Sequence, residues 1–281
     1  EQAVAIAKQL DGKPVKLVWT REEDTQHDMY RPAALSRFQA AIGKDGRVSA
    51  WSNKLVAQSI GYASVKRLLP SAAADTPDKN QIEGAFDIPY GFEHISVKQV
   101  RPQVPVPVGS WRSVGHSYNA FFTESFVDEL AWAVGQDPVA YRRGLLGKHP
   151  RHKAVLDLAA SKAGWGSPLP AGRARGVALH ESFGSICAEV AEVSVEGNQV
   201  RVHRVVCAID CGVVVNPDTV EAQMQSSIVY GLSAALYGEI TLAQGRVEQG
   251  NFPSYDALHM AQMPVVETHI VPSTAAPGGE I

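Results

Sequence analysis

The sequence contains little cysteine and little net charge, and it has no long apolar run. Its 281 residues include three cysteines, which are too few for a disulfide framework and too few for the Cys-rich motifs that hold iron–sulfur clusters. A formal net charge of -3 excludes the basic excess expected of a nucleic-acid-binding domain. No apolar run reaches the length of a membrane span, and no signal-peptide pattern opens the sequence.

Motifs of several common enzyme classes are missing as well. No Gly-x-Gly-x-x-Gly follows a predicted strand and no Walker lysine loop occurs, so the chain has no fingerprint for nucleotide phosphates. No nucleophile elbow marks a serine hydrolase. The composition, with 45% hydrophobic and 20% charged residues, is typical of a globular domain. The chain opens inside a helical pattern without methionine and stops in a glycine-rich loop, so we expect a fragment of a longer polypeptide.

The three cysteines, Cys187, Cys207 and Cys211, lie in apolar, strand-like surroundings. The spacing of Cys207 and Cys211 would suit a zinc or iron–sulfur ligand pair, but no second pair and no matching histidine accompanies them. We therefore expect buried small side chains and no metal ligand from the protein.

Residue patterns in the first half predict helices and strands in alternation. Asp45-Gly46 between two alternating runs is a strong hairpin signal, and Thr20 is a candidate helix cap before an acidic turn. The predicted elements are a helix at 1–10, a strand at 15–19, hairpin strands at 36–42 and 48–55, and a strand at 94–100.

A glycine-flanked turn followed by a long helix forms the centre of the sequence. Ser117 is the predicted N-cap of this helix, and Gly135 ends it before Asp137-Pro138 starts another. Glu124 falls outside the predicted apolar stripe, which consists of Phe122, Phe126, Leu130 and Val134.

Arg112 lies in that turn, just before the helix N-terminus. Backbone N–H groups and a fixed cation at this place suit an anionic ligand. The spacing equally permits an ion pair with a nearby carboxylate that holds the turn, so both interpretations stay open.

The second half is predicted to be rich in strands. A helix at 151–166 precedes a Gly/Pro/Arg linker at 168–176, which suggests one part of the chain at 1–165 and another at 166–281. Strands follow at 176–179, 188–195 and 200–209, and Asn216-Pro217 starts a further helix.

His180 and Glu181 could form a general acid/base pair, because a histidine near a carboxylate titrates near neutrality. Alternation along a strand places the two side chains on opposite faces, which favours a role in lining a pocket.

Four groups of residues, in this order, carry a family resemblance. They are Trp111-Arg112-Ser113-Val114-Gly115-His116-Ser117 with Thr123-Glu124-Ser125-Phe126; His180-Glu181-Ser182-Phe183-Gly184-Ser185; Asp210-Cys211-Gly212 with Asn216-Pro217 and Glu221-Ala222-Gln223; and Asn251-Phe252-Pro253-Ser254-Tyr255. The sequence resembles the large subunit of the molybdenum hydroxylases, the xanthine dehydrogenase and aldehyde oxidoreductase superfamily. It is most similar to the branch formed by the isoquinoline oxidoreductase beta subunits.

The resemblance implies an α+β (mixed α/β) fold, the molybdopterin-binding domain of the xanthine oxidase type, with two subdomains of mixed sheets packed with helices. It also implies a molybdenum-pterin cofactor, expected as molybdopterin cytosine dinucleotide. The pterin dithiolene holds the metal in this family, so no protein metal ligand is expected.

The same resemblance assigns roles to single residues. Arg112, Gly115 and Gln223 are expected to bind the cofactor, although Gln223 would otherwise be an ordinary helix-surface glutamine. Trp111 and Val114 are expected in the substrate pocket; ordinary core packing is the alternative for Trp111. Glu280, or a residue just beyond 281, matches the catalytic base, while a solvated loop carboxylate is the alternative.

The implied reaction is hydroxylation of an N-heteroaromatic, or oxidation of an aldehyde, with water as oxygen source. Electrons are expected to leave through iron–sulfur clusters on a separate small subunit of a bacterial heterodimer, in the cytoplasm or periplasm. The family's upstream glycine-rich loop is missing, so we expect the isolated chain to be inactive and to hold little molybdenum. A cofactor-free interaction or scaffold domain of the same fold, and a metal-independent hydrolase, are the alternatives.

Overall fold

The computed structural model describes residues 2–74 and 76–279, which contain runs of helices and runs of strands. None of the described helices combines the length and the apolar character needed to cross a bilayer. The helices are α1 Gln2–Ala7, α2 Arg21–His27, α3 Ile60–Leu68, α4 Lys79–Ile82, α5 His116–Ala133, α6 Pro138–Leu145, α7 Pro150–Lys162 and α8 Pro217–Leu236. The strands are β1 Ala34–Ile42, β2 Val48–Ala57, β3 His94–Val100, β4 Arg173–Ser182, β5 Ser185–Glu196, β6 Gln199–Asp210, β7 Leu242–Ala243, β8 Arg246–Val247 and β9 Val265–Ile270.

The first sheet has the strand order β1-β2-β3 and is mixed. Strands β1 and β2 form an antiparallel hairpin, and β3 runs parallel to β2. The hairpin turns at Gly46, whose φ of 77° lies in the left-handed region that favours glycine. The predicted hairpin and the predicted strand at 94–100 are therefore confirmed.

The second sheet has the order β4-β5-β6-β9, and it is mixed because β9 runs parallel to β6 while the other pairs are antiparallel. Strand β6 is buried on both faces: Val206 and Ala208 point to one side, and Val205 and Cys207 to the other. Helix α7 covers the first face and α8 covers the second. A sheet between two helices buries apolar residues at consecutive positions, as this strand does.

One apolar core joins the two sheets. It contains Trp51 from β2, Val127 from α5, Leu156 from α7 and Leu179 from β4, all nearly inaccessible to solvent. The Trp51 ring stacks on Phe92 with ring centroids 4.9 Å apart. The predicted fold class, mixed α/β with two mixed sheets and packed helices, is confirmed.

A buried ion pair fixes the central helices to the second sheet. Glu124 on α5 accepts hydrogen bonds from Arg142 Nε at 2.9 Å, from Tyr90 Oη at 2.8 Å and from the backbone N–H of Leu179 at 2.8 Å. Burial raises the pKa of Glu124, and the guanidinium of Arg142 opposes that rise. The helical pattern left Glu124 off the apolar stripe and did not predict its burial, because its partners come from three separate segments.

Other local predictions also differ from the structure. Residues 15–19 form no strand; they have no neighbouring strand to pair with, and Val18 is 71% exposed. Ser117 is not the N-cap of α5, because the helix begins at His116 and Ser117 Oγ donates to Val114 O instead. The predicted linker at 168–176 is shorter than expected, since β4 starts at Arg173.

Candidate functional site

A cavity of about 450 Å³ opens where β6 ends and α8 begins. Helix α8 starts here because Asn216 caps it, its side chain accepting a hydrogen bond from the N–H of Thr219 at 3.2 Å, and Pro217 occupies the first turn. The walls are apolar along Val213, Val214 and Val215. The polar lining consists of Arg112, Asn216, Thr219, Gln223 and the backbone of Gly278 and Gly279.

Arg112 and Gln223 meet in this cavity. Arg112 Nη2 donates to Gln223 Oε1 at 3.3 Å. Among the residues that the structure describes, no carboxylate lies within ion-pair distance of the Arg112 guanidinium. A guanidinium carries several N–H donors, so the group keeps donors free for an anionic ligand in the cavity. The ion pair that would hold the turn, one of the two interpretations of Arg112, is not seen among the described residues.

The turn that carries Arg112 has an unusual backbone. Ser113 and Val114 have φ angles of 64° and 47°, and a β-branched residue such as Val114 rarely adopts this region. Each such residue costs on the order of 1–3 kcal/mol, so the surroundings must hold the turn. Gly115 contributes to that hold, since a Cβ there would overlap the carbonyl oxygen of Asn80.

Arg151 fixes the end of β6 next to the cavity. Its Nε and Nη2 donate to the two carboxylate oxygens of Asp210 at 2.7 and 2.8 Å, and the N–H of Gly212 donates to the same carboxylate at 3.0 Å. The hydrogen bonds from Arg151 lower the pKa of Asp210 to about 2. Sequence reasoning missed this pair, since no local signal connects Arg151 with a strand end so far along the chain.

The segment 275–279 closes one side of the cavity. Its backbone pairs with the turn after β6: Val213 N donates to Ala275 O at 3.0 Å, and Gly278 N donates to Cys211 O at 2.8 Å. Gly279 N donates to the carbonyl of Phe183 at 2.7 Å, in the turn between β4 and β5. Two of the segments that carry the family resemblance, at 180–185 and 210–212, therefore meet the segment 275–279 at one place.

The other predicted site residues do not line this cavity or lie outside the described residues. The described residues that line the cavity do not include Trp111, Val114 or Gly115. The guanidinium of Arg31 lies 5.3 Å from the centroid of the Trp111 ring, and Gly115 is buried against Asn80. Glu280 lies outside the described residues, although Gly279, which precedes it in the sequence, lines the cavity.

His180 and Glu181 point in opposite directions, as strand alternation predicts. His180 Nε2 lies 2.9 Å from His116 Nδ1, whereas Glu181 Oε2 lies 2.9 Å from His152 Nε2. Burial lowers the pKa of His180 to about 3, so its ring is neutral at physiological pH. The two residues do not form an acid/base pair with each other.

Comparison with known proteins identifies the family of the chain. The family model of the molybdopterin cofactor-binding domain matches residues 1–145, and a second model of the same description matches residues 158–264. The chain thus belongs to the molybdopterin cofactor-binding domains of the molybdenum hydroxylase large subunits.

Among individual relatives, the beta subunit of isoquinoline 1-oxidoreductase from Brevundimonas diminuta is 33% identical over 95% of this chain and 35% of its own length. A nicotinate dehydrogenase subunit from Pseudomonas putida is 28% identical over 94% of this chain and 24% of its own length. The chain thus spans about a third or less of these relatives. Quinoline 2-oxidoreductase from Pseudomonas putida shares the fold, with a TM-score of 0.74 at 11% identity over 97% of this chain and 59% of that chain.

Proposed function

We propose that this chain supplies the molybdenum-pterin pocket of a molybdenum hydroxylase, with Arg112 and Gln223 as two of the binding residues. The observation that carries the proposal is their approach to 3.3 Å in one cavity while the guanidinium keeps donors free.

The residues around the cavity fit a pterin with an anionic phosphate. The Arg112 guanidinium would donate to anionic oxygens, and the Gln223 carboxamide offers both a donor and an acceptor to a pterin edge. Helix α8 starts in the cavity wall, and the positive end of its dipole favours phosphate. We expect Gly115 to act through the backbone of the turn, and the dinucleotide form of the cofactor is part of the proposal.

When bound, the molybdenum-pterin supplies two-electron redox chemistry in which water provides the oxygen that enters the substrate. The protein's own part is to orient the reacting groups and to move a proton. We propose Glu280, or a residue just beyond 281, as the base. The hydrogen bonds of Gly278 and Gly279 to Cys211 and Phe183 would hold the start of that loop at the cavity.

We favour an N-heteroaromatic substrate over an aldehyde. The relatives at 33% and 28% identity are an isoquinoline and a nicotinate enzyme, and both compounds contain an aromatic ring nitrogen. A membrane-bound aldehyde dehydrogenase from Gluconacetobacter polyoxogenes is 27% identical, so an aldehyde is the alternative substrate. We propose that Trp111 and Val114, which lie outside the lining of the described cavity, face a neighbouring substrate pocket in which the small Val114 side chain would leave room for such a ring. Electrons would pass to iron–sulfur clusters on a separate small subunit, since this chain lacks the cysteines for them.

The test uses the whole purified protein and measures molybdenum by elemental analysis and pterin by fluorescence after denaturation. We expect Arg112→Met to lower cofactor retention by roughly 10- to 100-fold, because it removes a charge-assisted hydrogen bond. Gln223→Ala should lower retention by a few-fold. Gln225→Ala, two residues further along α8, and Arg47→Met at an exposed turn are the matched controls.

Equal cofactor content in all four variants would contradict the assignment of the site. A wild-type protein without molybdenum or pterin would instead favour the cofactor-free scaffold.

A second experiment tests the base. Glu280→Gln should lower turnover by about 10²- to 10⁴-fold at unchanged molybdenum content, while Glu221→Gln should have little effect. Comparison of kcat/KM for an N-heteroaromatic and an aldehyde tests the substrate class.

A further inference from the structure

A group of three potential metal ligands lies on the α8 side of the second sheet, outside the candidate cofactor cavity. Cys187 and Glu189 are two residues apart on β5 and therefore share one face. Cys207 on β6 lies directly opposite Glu189 in the strand register. Cys187 and Cys207 belong to the core that packs against Met224 and Ile228 of α8.

The distances within the group suit tetrahedral coordination. The two Sγ atoms are 3.5 Å apart, Cys187 Sγ lies 3.9 Å from Glu189 Oε1, and all three ligand atoms lie within 4.8 Å of one another. Two thiolates on a tetrahedral zinc ion, at roughly 2.3 Å each, lie about 3.8 Å apart. Side-chain adjustments of a few tenths of an ångström would bring the group to that geometry.

No cation of the described residues lies beside the group to offset the negative charge that it would carry as a set of metal ligands. In the described part of the chain, no lysine, arginine or histidine forms an ion pair with Glu189, and its one hydrogen-bond partner is the Cys187 thiol. A carboxylate that is partly withdrawn from water and has no cation beside it is suited to bind a metal ion.

We propose that Cys187, Cys207 and Glu189 bind one thiophilic divalent cation, with zinc as the preferred ion. Two thiolates select zinc over magnesium or calcium. The three side chains fill three of the four coordination positions of a tetrahedral ion, and water can reach the fourth because Glu189 is only half-buried. The ion would link β5 to β6 beneath α8 and is independent of the molybdenum-pterin proposal. This site differs from the pair Cys207 and Cys211, whose spacing in the sequence would also suit a metal. Cys211 is not part of it, because Cys211 lines the cofactor cavity.

The experiment measures zinc per chain in the whole purified protein after dialysis against a weak chelator. The variants are Cys187→Ala, Cys207→Ala and Glu189→Gln, with Cys211→Ala as the matched control. Alanine suits this apolar core, and circular dichroism with a thermal melt verifies that each variant is folded. We expect about one zinc per chain in the wild type and in Cys211→Ala. Loss of either Cys187 or Cys207 should weaken zinc binding by more than about 100-fold. Even the loss of a residue that only hydrogen-bonds to a ligand lowers metal affinity by about 10- to 100-fold.

Cobalt(II) titration provides a second readout that reports the ligands directly. The wild type should show a thiolate-to-cobalt charge-transfer band, which should weaken when either Cys187 or Cys207 is replaced and persist, at lower affinity, in Glu189→Gln. Zinc binding that is unchanged in both cysteine variants would overturn the proposal. So would a wild-type protein that binds neither ion, or one whose intact mass shows a Cys187–Cys207 disulfide and no metal.

Discussion

Arg151 and Asp210 form a two-point ion pair at the end of β6, with N–O distances of 2.7 and 2.8 Å. The carboxylate also accepts a hydrogen bond from the backbone N–H of Gly212. The pair connects α7 to the turn that lines the candidate cofactor cavity.

The first prediction concerns acid stability. The pKa of Asp210 is lowered from 3.8 to about 2 in the folded protein, so its stabilising effect is present above about pH 4 and is lost as the pH falls through about 2. A shift of this size corresponds to on the order of 2 kcal/mol. Urea unfolding between about pH 5 and pH 2 should therefore show a smaller loss of stability in Asp210→Asn than in the wild type. Asp11→Asn, at an exposed carboxylate, is the control, and identical pH profiles for all three proteins would refute the prediction.

The second prediction concerns the close approach at Gly212. Its φ is 76°, and a Cβ there would overlap the carbonyl of Ala276. Gly212→Ala should displace the segment 275–279 and lower molybdenum content in the whole protein by more than about 10-fold. Gly197→Ala provides the control, because Gly197 has a φ of 62° and open space around it. Equal losses in both variants would mean that backbone strain alone, rather than the contact with Ala276, explains the effect.

The third prediction concerns the buried ion pair of α5 and α6. Arg142 is fully buried against Glu124, so Arg142→Met leaves a buried carboxylate unpaired and should destabilise the protein by about 3–5 kcal/mol. Arg143 pairs with Asp157 at 3.1 Å on the surface, and Arg143→Met should cost about 1 kcal/mol or less. Chemical denaturation of both variants measures the difference. A smaller loss for Arg142→Met than for Arg143→Met would be incompatible with this account.

The fourth prediction concerns the buried histidine pair. Burial lowers the pKa of His180 from 6.5 to about 3, so the folded state favours the neutral ring. The unfolded chain binds the proton more readily, and stability is expected to fall as the pH drops from about 6.5 towards 3. His180→Gln should flatten this part of the stability profile, whereas His94→Gln, at an exposed ring, should leave it unchanged. An unaltered profile in His180→Gln would show that another group titrates in that range.

Much of the local structure could be predicted from short stretches of sequence. Asp45-Gly46 specified the first hairpin, and Asn216-Pro217 specified the start of α8, because turn geometry and helix capping depend on neighbouring residues alone. The strand prediction at 15–19 was wrong. Alternating apolar and polar residues favour an extended backbone, but a strand also needs a neighbouring strand to pair with, and the local pattern does not show whether one is present. The cap prediction at Ser117 failed because Gly115 and the two left-handed residues before it start the helix earlier.

The sequence by itself determined the family, the mixed fold and the main turns, since motif order and local backbone preferences are written in consecutive residues. Only the tertiary structure decided which distant groups meet: Arg112 with Gln223, Arg151 with Asp210, and Cys187 with Cys207. The physical reason is that strand register and helix packing set these distances, and both depend on contacts between segments far apart in the chain.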